Sequence, residues 1–152
     1  MLLDFLFQLG YLGLFMISLL AASILPLSSE IFVLAMPPLG YNIWLVGIVA
    51  TLGNYAGALT NYYLGLKGTD LAIGRWFEIK PEQWTRAANF YERWGPVALF
   101  FSWVPFIGDP LTAVAGAFKM HMGTFTFWVI LGKGLRYVVL LGFAEQITNW
   151  FT

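Results

Sequence analysis

Four ionisable side chains stand within or beside long apolar runs of this sequence: Glu30, Asp109, Lys133 and Arg136. A charge near the centre of a bilayer costs on the order of 3 kcal/mol on insertion scales, so each must be neutralised, paired or hydrated. Two kinds of chemistry fit them. Glu30 and Asp109 can take up and release a proton or hold another small cation. Lys133 and Arg136, three apart on one helix face, can meet an anion. A guanidinium suits phosphate because its planar fork donates two parallel hydrogen bonds. Ser29 and Asn54 are the polar side chains expected to join them around such an anion. The competing reading is structural: the charges neutralise one another, cap broken helix ends and fix how the elements dock.

Other chemistries find less support. The sequence holds no cysteine, which removes disulfides, thiolate nucleophiles and Cys-ligated metals. His121 is the only histidine, and between Met120 and Met122 it has no partners for a metal site. Ser28, Ser29 and Ser102 raise the idea of an intramembrane hydrolase, but no Gly-x-Ser-x-Gly elbow is present. These serines more simply satisfy backbone groups where helices break. No nucleotide-binding loop stands out. No cofactor, metal or enzymatic activity is expected.

The elements that must carry these residues follow from composition. The 152 residues are 59% hydrophobic and only 11% charged, with a mean hydropathy of +0.74, which indicates an integral membrane protein of one domain. Eight basic and eight acidic residues cancel, so no field favours nucleic acid. The N-terminal run lacks early Lys or Arg and is expected to be retained rather than cleaved. From about 12 to 38, two short helical arms are expected, broken at Pro26 to Glu30, because Ile31 to Met36 cannot cross a bilayer as a helix. Broken backbone at that depth is tolerable only where protein or a wet cavity covers it. Residues 43 to 66 are long enough to span, with Gly53, Gly57 and Gly65 on one face for close packing. Residues 67 to 93 hold nine of the sixteen charges, and from Pro81 the pattern predicts an amphipathic helix at the membrane surface. A second apolar run breaks between Pro105 and Gly108-Asp109-Pro110, and residues 123 to 143 form another span.

Laid on itself with an offset of 79 residues, the chain matches Pro26 with Pro105, Glu30 with Asp109 and Gly53 with Gly132. The order of elements matches too: apolar arm, polar break at Pro26 or at Pro105 and Gly108, short arm, then a full span. The predicted fold is therefore all-α. A first repeat at about 5–66 and a second at about 95–148 are inverted copies of a re-entrant hairpin plus a transmembrane helix, with the interfacial segment 67–94 between them. Five Lys and Arg between 67 and 93, against none before 67, suggest that this segment is cytoplasmic.

These residues resemble the DedA family of membrane proteins, also called the VTT or SNARE-associated Golgi domain family, and in particular its short YqaA-type branch. The likeness lies in Pro26 to Glu30, Gly53-Asn54-Tyr55-Ala56-Gly57 with Asn61-Tyr62-Tyr63-Leu64-Gly65, Ser102-Trp103-Val104-Pro105 with Gly108-Asp109, Ala115-Gly116, and Gly132-Lys133-Gly134-Leu135-Arg136-Tyr137. The resemblance implies two opposed re-entrant hairpins, a bacterial inner membrane location, and movement of a lipid or lipid-phosphate head group between leaflets with proton or sodium coupling. Glu30 matches the family's acidic position in the first hairpin, and Asp109 lies in the second. One departure matters: arginines usually flank the second-hairpin proline, and here Ser102 and Gly108 stand in those places. Lys133 or Arg136 is then left to supply the cation. The expected partners are membrane lipid and a proton or sodium ion, with a homo-oligomer left open. The alternative is a membrane scaffold that recruits a partner.

Overall fold

A computed structural model of the chain describes residues 5, 8–23, 29–68, 81–104 and 107–151, and among these every regular element is a helix. In chain order they form α1 (Tyr11–Ser23), α2 (Ser29–Ala35), a short 3-10 turn (Pro37–Leu39), α3 (Ile43–Lys67), α4 (Pro81–Trp94), a nine-residue 3-10 segment (Gly95–Trp103), α5 (Gly108–Ala117) and α6 (Met122–Phe151). The expected breaks at Pro26 and Pro105 lie outside the described residues, as do most of the charges of segment 67–80.

Length separates the helices into two kinds. At ~1.5 Å per residue, α3 and α6 are about 37 and 45 Å long, enough for a hydrocarbon core of ~30 Å, whereas α1 and α2 are about 20 and 10 Å. Helices α3 and α6 are also the two that combine this length with sufficient apolar character to cross a membrane. Their outward faces carry Trp44, Ile48 and Leu52 on α3 and Leu131, Val138 and Phe143 on α6, all exposed. Exposed large apolar side chains in such rows suit a lipid environment.

Local chemistry sets the boundaries. Gly40 takes φ 95° after the 3-10 turn, and Asn42 then caps α3, its Oδ1 accepting from the Trp44 and Leu45 amides. Helix α4 ends at Trp94 because Gly95 adopts φ 62° and Pro96 follows, a combination that stops an α-helix. Lys119 plays the left-handed role after α5, with φ 53° and an amide bonded to the Gly116 carbonyl.

The two long helices run antiparallel. Gly47 on α3 lies against Leu141 on α6, Tyr55 bonds Thr126, and the Tyr62 ring packs on Phe125. Helix α1 packs along α3 at Gly53 and Gly57, where a Cβ would stand 2.5 Å from the Phe15 and Leu19 carbonyl oxygens. The 3-10 segment packs along α6 at Gly132 in the same manner. The second arms cross over: α2 meets α6, and α5 meets α3 through Gly65 and Gly116. Helix α4 lies against α5 and the 3-10 segment, with Ala87 buried and Glu82, Arg86, Glu92 and Arg93 exposed.

Two apolar clusters result. One, around Leu14, Ile17, Phe32, Val33, Val46 and Leu141, sits at the start of α3 and the end of α6. The other, around Ala58, Leu99, Leu111, Val114, Phe125 and Val129, sits at the opposite end of the pair. Asn54 and Lys133 lie between the clusters along their helices, and there the interior turns polar.

Candidate functional site

The side chains of the polar layer are positioned by helices whose other neighbours are apolar, so the polar groups bond one another and nearby backbone carbonyls. The Lys133 ammonium is 3% exposed. It donates to Asn54 Oδ1 at 2.5 Å and to Asp109 Oδ1 at 3.4 Å. Asn54 Nδ2 donates to the Ser18 carbonyl and to Tyr137 Oη, each at 3.2 Å. Tyr137 Oη is also 2.8 Å from Ser29 Oγ. On the other side, Thr112 Oγ1 donates to the Asp109 carbonyl at 2.7 Å and accepts from Asn61 Nδ2 at 3.1 Å. Asn61 Nδ2 further donates to the Ala22 carbonyl at 2.9 Å, which ties α1 to α3 and α5. The chain of bonds therefore runs from Ser29 to Asn61 through both long helices and both short second arms. Buried polar networks of this kind hold elements in one register when satisfied.

The second ion pair joins Arg136 on α6 to Glu30 on α2. It is wetter, with side chains 27% and 37% exposed. Glu30 and Arg136 also line a cavity of about 490 Å³, whose remaining walls include Leu34, Phe100, Trp103, Leu140 and Phe143. Apart from this pair the lining is apolar. A separate cavity of about 510 Å³ lies between α3 and α6 and includes Trp44, Thr51, Tyr137 and Glu145.

The four charges named from sequence thus form two pairs, both built on α6. Glu30 and Asp109 each occupy the first turn of a second arm, where unbonded backbone N–H groups favour a carboxylate. Lys133 and Arg136 project from one face of α6 to different arms: Lys133 reaches α5 and Arg136 reaches α2. Neither of the two cavities is lined by Lys133 or Asp109.

The remaining sequence candidates are placed as follows. Ser29 and Asn54 are buried, and their polar atoms face the network. Gly108 opens α5, and a Cβ there would collide with the Ser102 carbonyl, so a glycine is required for the turn to close. Pro26, Pro105 and Ser28 lie outside the described residues. His121 sits in an exposed turn, its Nδ1 accepting from the Gly123 amide, and no hydrogen bond joins it to Ser29 or to buried Ser102 among the described residues. The intramembrane hydrolase idea therefore gains no geometry.

Thr112 and Ser18 were not singled out by the sequence, whereas Asn61 and Tyr137 stood within the stretches that carry the family resemblance, with no role given to them as site residues. Tyr137 is 1% exposed and joins two arms, yet as a letter it reads as one more interfacial aromatic. Asn54 and Lys133 are 79 residues apart, the offset at which Pro26 matches Pro105 and Glu30 matches Asp109 in the sequence.

Residues 24–146 match the family model described as the VTT domain. The chain is 36% identical over 144 residues to "Inner membrane protein YqaA" of Escherichia coli strain K12, covering 94% of this chain and 96% of that protein. It is 38% identical over 138 residues to an uncharacterized protein of Haemophilus influenzae, covering 84% and 82%. More distantly, it is 24% identical over 161 residues to "Undecaprenyl phosphate transporter A" of Staphylococcus aureus, covering 97% and 79%. No solved structure matches the chain.

Proposed function

Because the chain belongs to the VTT-domain family, also called the DedA family, we propose that it is a multi-pass inner-membrane transporter moving a phosphate-bearing lipid between leaflets, with proton or sodium coupling. The observation that carries this reading is the Arg136–Glu30 pair lining an otherwise apolar cavity. A lipid phosphate presents both halves of that chemistry: an anion for the guanidinium and an acyl or prenyl tail for Leu34, Phe100, Val139 and Phe143. The printed name of the Staphylococcus aureus relative points to a polyprenyl phosphate as the first lipid to try.

Glu30 occupies the anion site of Arg136. A phosphate must displace it, and a proton on Glu30 eases the exchange by removing the competing charge. Proton uptake and head-group binding are thereby coupled at one guanidinium. Asp109, paired with Lys133, is the second exchange site, and the buried Ser29 and Asn54 hold the surrounding frame. Arg136 takes the place of the arginines that Ser102 and Gly108 replace.

The packing supports inverted repeats of a re-entrant hairpin plus a span. Helices α3 and α6, equivalent at the offset of 79, run antiparallel, and Asn54 meets its counterpart Lys133 at their contact. The Gly47–Leu141 contact is mirrored within one residue by Tyr62–Phe125. Short arms that cannot span, crossed onto the opposite repeat's long helix, fit hairpins entering from opposite faces. Segment 67–94 then lies on the cytoplasmic face, with α4 along the surface.

The scaffold reading retains one supporting observation: the Lys133 network is internal and bonded, as a purely structural device would be. Binding separates the two. Arg136→Gln is expected to weaken capture of a polyprenyl phosphate by the detergent-solubilised protein about 10-fold, the loss of one charge-assisted contact of ~1.4 kcal/mol, with no change for the dephosphorylated alcohol. Native mass spectrometry checks this, and equal capture by both proteins favours the scaffold.

A further inference from the structure

Lys133 is bonded as an ion in a binding site is bonded. Its ammonium has two oxygen partners, Asn54 Oδ1 at 2.5 Å and Asp109 Oδ1 at 3.4 Å, and both are oriented by other contacts. Asn54 cannot turn its amide away, because its nitrogen is committed to the Ser18 carbonyl and to Tyr137 Oη. Asp109 is held in the first turn of α5, its own carbonyl accepting from Thr112. The Asp109 side chain is 46% exposed, while the ammonium it receives is buried. Converging oxygens, one of them anionic, are acceptors that suit an ammonium ion.

The internal repeat adds an independent observation. Lys133 stands where the first repeat carries Asn54, so a charged side chain and a neutral amide occupy equivalent places and bond across the contact of α3 and α6. The second copy supplies a cation on a tether, and the first copy supplies an oxygen to receive it.

We propose that Lys133 is a tethered cation: its ammonium fills a monovalent-cation site made by Asn54 and Asp109, and shortening the side chain opens that site to free cations. The site takes a primary alkylammonium ion best, because that restores the lost group, and sodium less well. The intact protein consequently needs no sodium at this position, and coupling there is left to protons. The inference concerns the cation alone and needs neither lipid nor transport to be tested, so its failure leaves the lipid reading standing.

The test measures melting temperature of the purified full-length protein in detergent, in chloride salts of n-propylammonium, sodium or N-methylglucamine at equal ionic strength. Lys133→Ala leaves Asp109 without its partner and is expected to melt roughly 5–10 °C below wild type. Propylammonium is expected to recover most of that loss saturably, sodium a smaller part, and the bulky N-methylglucamine none, as binding to the folded state alone requires. Lys133→Met, whose side chain fills the space of the lysine stem, is expected to respond to none of the salts. The Lys133→Ala/Asn54→Leu double variant is expected to lose the response. An equal response of Lys133→Ala to all three salts, or no response, overturns the proposal. So does sodium-specific stabilisation of the wild type, or a Lys133→Ala protein that folds in none of the salts while Lys133→Met folds.

Discussion

Gly116→Leu is expected to leave little folded protein. Helices α3 and α5 approach most closely where Gly65 faces Ala113 and Gly116 faces Tyr62, and a Cβ on either glycine would overlap a backbone carbonyl of the other helix. Backbone cannot swing aside as a side-chain tip can, so the helices must separate. Overpacking costs about 1–3 kcal/mol when side chains can adjust, and a leucine forced against backbone exceeds that range. Total stabilities of ~5–15 kcal/mol leave little reserve. The separation would also carry Thr112 away from Asn61, breaking the link between α5 and α3. Gly142 provides the contrast. Nothing lies within 4 Å of a Cβ placed there, so Gly142→Ala is expected to be neutral or to stabilise by up to ~1 kcal/mol through helix propensity. Size-exclusion profiles and thermal melts of the two variants check both statements; a Gly116→Leu protein melting like wild type contradicts the packing described.

Glu30→Gln is expected to separate binding from coupling. Glutamine keeps the shape of the side chain but removes the charge that holds Arg136. A pair at contact distance is worth about 4 kcal/mol at an effective dielectric of 20, and partial exposure to solvent reduces the net value to ~1 kcal/mol or so. Freed of that competitor, Arg136 is expected to hold a lipid phosphate several-fold more tightly, while a pH gradient changes the rate at which the lipid is moved less than it does in wild type. Arg136→Gln moves binding the other way. The opposite signs for two members of one ion pair distinguish exchange at the guanidinium from a general loss of fold, in which both variants would weaken binding together.

The long apolar helices α3 and α6 were legible in sequence because each is an apolar run of spanning length, and α4 because Pro81 starts it and Trp84, Ala87 and Tyr91 recur at helical spacing. The 3-10 geometry of Gly95–Trp103 was not, since an uninterrupted apolar run carries no sign of whether it is wound with three or 3.6 residues per turn. The four charges stood out because ionisable groups in apolar runs are costly. Their pairing did not, because Lys133 and Arg136 share one face of α6 and only tertiary placement directs one to Asp109 and the other to Glu30. Ser29 and Asn54 were visible as polar residues at depth. That they face inward, to Tyr137 and Lys133, depends on which neighbours the close glycine contacts bring near.

The most direct measurement of the central claim is translocation of a fluorescent polyprenyl phosphate in vesicles containing the purified protein, read by accessibility of the label to a membrane-impermeant quencher. Wild type is expected to move the phosphate-bearing lipid well above protein-free vesicles, an imposed proton gradient to change the rate, and Arg136→Gln to reduce it by an order of magnitude or more at equal protein content. Wild-type vesicles indistinguishable from empty ones, or Arg136→Gln moving the lipid at the wild-type rate, would contradict that claim.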